Sequence, residues 1–198
     1  MTIDNIDNPA VYWGQLWKSG RRYSPLTDAE TMLLDQHAGP GRGRPALDIG
    51  CGDGTLARRL AELGYQTTGL DCTPAAPALA EPNTEPVRYC CADIEATQPP
   101  PLPQRAYTLI TARLLVAFIR DKPAFLRRVR SLLAPGGLFW MVTPMAESLP
   151  TERASIGITS ADEELLTSLW ATARTTDVGS LRCYALRAWG TETETRAH

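Results

Sequence analysis

Ala46-Leu47-Asp48-Ile49-Gly50-Cys51-Gly52-Asp53-Gly54-Thr55, answered by Gly69-Leu70-Asp71, decides how this chain folds. A short apolar strand runs into a turn with glycine at every second position. An amphipathic helix follows, and the next strand ends on a carboxylate. Glycine lets the backbone bend sharply and lets a ligand approach with no Cβ in the way. A carboxylate about twenty residues on, at the tip of the adjacent strand, suits the two hydroxyls of a ribose. The stretch therefore predicts a nucleoside-binding strand-turn-helix unit.

The glycine spacing narrows the choice. A dinucleotide fingerprint is Gly-x-Gly-x-x-Gly, with the helix start facing a pyrophosphate. Here the glycines fall at 50, 52 and 54, and Thr55 stands at the third dinucleotide position. Asp48 and Asp53 also put negative charge where a phosphate binder keeps none. Acidic-x-Gly-x-Gly-x-Gly after an apolar strand resembles motif I of the class I S-adenosylmethionine-dependent methyltransferases. Asp48, Gly50, Gly52 and Gly54 carry the match.

The rest of the chain alternates as such a domain requires. Trp13, Leu16 and Trp17 share one face of a helix over 11–18, and Thr27 with Glu30 forms a capping-box signature for a second. After the strand at 46–49, the pattern predicts a helix over 55–63 closed by Gly64, then strands at 66–71 and 87–92. Pro74, Pro77 and Pro82 allow only a short helix between those strands, and the proline run 99–103 is an extended loop. A strand at 107–112 precedes a helix over 122–133 capped by Asp121, with Phe125, Leu126, Val129 and Leu132 or Leu133 inward. Ala134-Pro135-Gly136-Gly137 reads as a turn into a strand at 138–143. A helix over 162–170 with Leu165, Leu166 and Leu169 inward is followed by strands 173–177 and 181–189 around Val178-Gly179-Ser180. Strands alternating with helices imply a parallel sheet covered on both faces, with ligands at the carboxyl ends of the strands.

The resemblance covers residues 44 to 190 and implies an α/β, Rossmann-like fold. Its seven-stranded sheet would be mostly parallel, with a C-terminal antiparallel hairpin. Residues 1–44 would form a helical lid segment, 45–190 the methyltransferase domain and 191–198 a disordered tail. By the same match the cofactor is S-adenosylmethionine. Asp48 would sit near its amino group, Asp71 would take both ribose hydroxyls, and Cys51 and Cys72 in the adjoining turns would also be cofactor-binding residues. Ala92, Asp93 and Ile94 match the turn that holds adenine. Ala112 and Arg113, followed by Leu114, match the strand end near the methionine. Two departures stand out: Tyr107-Thr108 replaces the usual Phe-Asp, and no Asn/Asp-Pro-Pro-Tyr/Phe tetrapeptide or Pro-Cys dipeptide occurs. The second departure disfavours methylation of DNA bases.

Composition sets the frame. The chain has 198 residues, enough for one proper core, with 43% apolar residues and a net charge of −2. Lys18 and Lys122 are the only lysines, and the arginines are scattered rather than striped, which argues against a nucleic-acid partner. Arginine in place of lysine is also what a GC-rich bacterial genome produces. Five cysteines without a C-x-x-C pair indicate reduced cytoplasmic thiols and no metal site. No apolar run approaches spanning length, so a membrane location is not expected.

Candidate chemistry follows. Tyr12 or Tyr23 is expected to line the methionine end from the lid, where an aromatic face steadies a cation. Trp13 and Trp17 read instead as the residues that pack the lid helix. His37 and His198 lie away from the core motifs, so a carboxylate such as Glu147 or Glu152 is the candidate base in the irregular segment 144–160. The function so implied is methyl transfer to an oxygen or nitrogen of a small molecule in specialised metabolism. A peptide or protein acceptor is the alternative, and a nicotinamide oxidoreductase the more distant one.

Overall fold

A computed structural model describes residues 8–20, 24–74, 87–98 and 100–190. The chain divides into two compact units, one through Pro103 and the other from Gln104. One seven-stranded sheet has the order β3-β2-β1-β4-β5-β7-β6.

In the first unit, α1 (Pro9–Lys18) begins at Asn8, whose side chain accepts the Val11 amide. Both halves of the expected capping box open α2 (Asp28–Ala38): Thr27 accepts the Glu30 amide, and Glu30 accepts the Thr27 amide. Strand β1 (Pro45–Ile49) pairs in parallel with β2 (Gln66–Asp71), which pairs in parallel with β3 (Arg88–Cys91). Between β1 and β2, α3 (Thr55–Glu62) buries Leu56, Ala57, Leu60 and Ala61 on a single face. A hydrogen-bonded ion pair between Arg59 and Asp35, 2.5 Å long, ties α3 to α2. The short helix expected near Pro77 and Pro82, the tail from Thr191 and Tyr23 lie outside the described residues.

The second unit holds β4 (Tyr107–Arg113), α4 (Lys122–Leu132), β5 (Leu133–Thr143), α5 (Ser160–Thr167), β6 (Thr172–Val178) and β7 (Leu181–Arg187). Strands β4 and β5 are parallel, whereas β7 runs antiparallel to both β5 and β6. Asp121 caps α4 through the Ala124 amide, and Phe125, Leu126 and Val129 are buried as the spacing predicts.

Two expectations are corrected here. The Ala134–Gly137 segment is not a turn before the strand: β5 already pairs at Leu133 with Tyr107, and pairing resumes at Leu138 with Leu109. The extra residues form a bulge, with Gly136 at φ +69°. Helix α5 covers 160–167, set by a Thr159–Asp162 capping box, and ends before Leu169. Leu169 is therefore exposed, and Trp170 takes the core position with its ring 5.7 Å from Phe139.

Beneath α5, Glu163 accepts hydrogen bonds from Arg182 (3.0 Å) and from the buried Tyr184 hydroxyl (2.9 Å). Burial and the neighbouring carboxylate raise the Tyr184 phenol well above its ordinary 10.0. A group raised on folding contributes stability below its unfolded pKa and loses it as pH rises further. Unfolding free energy should accordingly decline above about pH 10, and Tyr184→Phe should flatten that decline. Denaturant titrations of both proteins between pH 8 and 11 measure the difference.

Candidate functional site

The glycine turn hangs from β2. The amides of Gly50 and Cys51 both donate to the Leu70 carbonyl, at 2.7 and 3.1 Å. The Gly52 amide donates to Asp71 Oδ2 (3.0 Å) and the Thr73 amide to Asp71 Oδ1 (3.1 Å). Gly54 closes the turn by donating to the Cys51 carbonyl (2.9 Å). Gly52 and Gly54 stand at φ +53° and +80°, a region L-residues adopt only at a cost. The alternation of glycines is thus a backbone requirement as well as a matter of room.

Asp71 is 8% exposed, and burial raises its carboxyl despite the backbone donors. Each of its oxygens accepts one amide and keeps a further lone pair for a hydroxyl. Asp48, beside Gly69 in the β1–β2 register, is buried as well. Asp53 does something else: its carboxylate accepts the Thr55 amide (3.2 Å) and hydroxyl (2.8 Å), so it is spent on the first residue of α3, whose N-cap is Gly54. Cys51 turns its thiol inward against Gly69, where burial pushes its pKa up. Only its backbone belongs to the turn. The Cys72 thiol is pushed up to about 12 by burial and by Asp71 and Asp93.

Helix α1 lies over these elements. Trp17 is buried with its ring at Gly52, where a Cβ would come within 2.9 Å of it. Gly14 faces the Thr73 hydroxyl, 3.0 Å from where its own Cβ would stand. The packing role expected for Trp17 is what the structure gives it. Half-buried Tyr12 meets Trp13 edge-on, with ring centroids 4.9 Å apart.

At the end of β3, the Ala92 amide donates to the Asp71 carbonyl (2.9 Å). Asp93 Oδ1 accepts the Glu95 amide (2.8 Å), and Ile94 is buried. In the second unit Ala112 is buried and Arg113 half-buried at the end of β4. The next residue, Leu114, has φ +55°, strain of a kind that collects at working sites. Its amide donates to the Val142 carbonyl (2.7 Å). So Asp48, the glycines and Asp71 share one constellation in the first unit, with Asp93 on the adjoining strand end.

The two candidate bases, Glu147 and Glu152, lie in the second unit. Glu147 accepts the Ser160 amide (2.9 Å) and hydroxyl (3.1 Å), and the amide bond holds its carboxyl below the usual range. It is a cap for α5. Glu152 is exposed in a 3-10 turn, Thr151–Ile156. Glu147→Gln should leave the pH profile of methyl transfer unchanged and the rate within about threefold, since a true general base contributes ~10²–10⁴. Initial rates across pH 6–9 check this.

Sequence reasoning did not single out Tyr89, whose ring lies against Gly54 and Gly69. The available signal was an aromatic on one strand beside a glycine on its neighbour. Nothing in the sequence marks the positive φ of Leu114 or the Gly14–Thr73 contact.

A methyltransferase-domain family model matches residues 22–186. The chain belongs to the class I, S-adenosylmethionine-dependent methyltransferases. Among curated relatives, an uncharacterized methyltransferase of Mycobacterium bovis is 32% identical over 139 residues, 68% of this chain and 64% of that protein. A ubiquinone biosynthesis O-methyltransferase of Chromobacterium violaceum is 28% identical over 72% of this chain and 62% of its own length. The chain thus spans a little under two thirds of the curated relatives it matches. In fold it resembles a chain solved in work on converting a disulfide bond into a thioacetal group during echinomycin biosynthesis. That likeness has a TM-score of 0.68 at 15% identity and covers 96% of both chains.

Proposed function

We propose that this methyltransferase moves the methyl group of S-adenosylmethionine onto an oxygen or nitrogen of a small molecule. The observation that supports the cofactor is how the turn's donors are spent. The amides of Gly50, Cys51, Gly52 and Gly54 are all engaged within the fold, and Asp53 is spent on the first residue of α3. A nicotinamide dinucleotide's pyrophosphate would meet a carboxylate there instead of free amides. Buried carboxylates at Asp48 and Asp71 instead suit the hydroxyls and ammonium of an adenosyl amino acid.

When bound, the cofactor supplies a methyl group already activated on a cationic sulfur. The chain's own task is orientation, which can account for about 7–11 kcal/mol of a bimolecular barrier. Asp71 fixes the ribose and the turn together. Trp17 shields Gly52, and Tyr12 offers an aromatic face from α1. Residues 1–44 act as the lid and 45–190 as the catalytic domain. With Glu147 committed to capping, the acceptor attacks with its own lone pair and gives its proton to solvent. An oxygen acceptor is supported by the O-methyltransferase among the relatives.

The test is incubation with methyl-labelled S-adenosylmethionine and separate panels of phenols, amines and short peptides. Label in a phenol or amine is expected. Label confined to peptides would overturn the small-molecule acceptor, and binding of NADH in place of S-adenosylhomocysteine would overturn the cofactor role of the turn.

A further inference from the structure

We propose that Tyr89 is a positioning residue that sets the height of the glycine turn for the cofactor, without touching the cofactor itself. The inference rests on the cofactor reading of that turn. Tyr89 stands on β3 beside Gly69 of β2. A Cβ at Gly69 would lie 2.9 Å from its Cδ1 and 3.0 Å from its Cε1, so the ring occupies a strand position that only glycine leaves open. The other end of the ring reaches Gly54, where a Cβ would collide with the hydroxyl and come within 2.9 Å of Cζ. One ring therefore spans from β2 to the start of α3, directly beneath the turn.

Among the described residues, the ring is the contact that reaches the turn from the β2–β3 side of the sheet. Gly50, Cys51 and Gly52 hang from Leu70 and Asp71, which fixes the strand side. The helix side has the Gly54–Cys51 bond, which is internal to the turn, and the Tyr89 ring. Arg58 lies beside the phenol, its guanidinium donating to the Asp53 carbonyl (2.8 Å) and the Thr55 hydroxyl (3.2 Å). Removing the ring leaves the helix side of the turn free to shift, drawing the Gly52 amide off the Asp71 carboxylate. Displacement of about 1 Å in a binding constellation can cost up to ~10²-fold.

The experiment is titration calorimetry with S-adenosylhomocysteine at a temperature where circular dichroism shows each variant folded. Tyr89→Leu is expected to weaken binding by about 10–100-fold, and Tyr89→Phe, which keeps the ring, by no more than about threefold. Gly69→Ala, which crowds the ring and also the Cys51 Sγ (3.0 Å), should weaken binding too, and its effect should be clearly smaller in the Gly69→Ala/Tyr89→Leu double variant than in the wild-type background. A folded Tyr89→Leu protein that binds like wild type would overturn the proposal, as would losses that add in the double variant. If Tyr89→Leu does not fold, normal binding by Gly69→Ala overturns it alone. Wild-type protein that fails to bind would instead refute the cofactor reading, and this inference with it.

Discussion

Gly54→Ala is expected to cost roughly 2–5 kcal/mol of stability, a fall of about 4–20 °C in melting temperature for a chain of this size. Two independent penalties meet at that residue. Its φ of +80° is left-handed, which costs a non-glycine residue about 1–2 kcal/mol. The new methyl would also strike the Tyr89 hydroxyl and ring edge, and forced repacking of that kind costs ~1–3 kcal/mol. Gly136→Ala is the control: it too has positive φ, +69°, but no heavy atom within 4 Å of the added Cβ. It should show the conformational penalty alone. Differential scanning calorimetry of the two variants separates the terms. Equal losses would mean that Tyr89 yields without cost.

Asp71→Asn should reduce affinity for S-adenosylhomocysteine by about 100-fold or more, because a site built around hydrogen-bond acceptors is left with a donor in the wrong place. The native carboxylate accepts the Gly52 amide on one oxygen and the Thr73 amide on the other. An asparagine must turn its NH₂ toward one of those amides, setting donor against donor. The pH dependence gives an independent signature. Burial raises the Asp71 carboxyl in the free protein, and hydroxyl donors from a bound ribose favour the ionised form. Binding is thus coupled to deprotonation. Affinity should be full above the free-protein pKa and fall as pH drops through it. Asp71→Asn removes that slope, and calorimetric titrations from pH 4 to 7 would reveal it.

How much of this was legible in the residues depended on whether one element sufficed to decide it. The glycine turn, Asp71 and the caps at Thr27 and Asp121 are local: each is a spacing whose physics closes within a few residues. The alternation also gave strands joined by helices and the C-terminal hairpin, whose turn is Gly179-Ser180, with Val178 drawn into β6 opposite Leu181. What failed was tertiary. The Ala134–Gly137 segment has the composition of a turn, but β4 supplies a partner at Tyr107 that draws its start into the sheet. Leu169 continues the helical period, yet the Trp170 indole donates to the Leu166 carbonyl (2.6 Å) and claims the buried place. Glu147's hydrogen-bond partner Ser160, thirteen residues on, was likewise beyond a local reading. Tyr89 escaped notice because its role depends on two glycines from other elements.

The central claim is that the turn after β1, with Asp71, holds the adenosyl cofactor. Isothermal titration of S-adenosylhomocysteine into wild-type and Asp71→Asn protein at pH 7 tests it most directly. The expected result is single-site binding by the wild type and a loss of about 100-fold in the variant, with both proteins folded. Equal affinity in the two, or heat from NADH and none from S-adenosylhomocysteine, would contradict it.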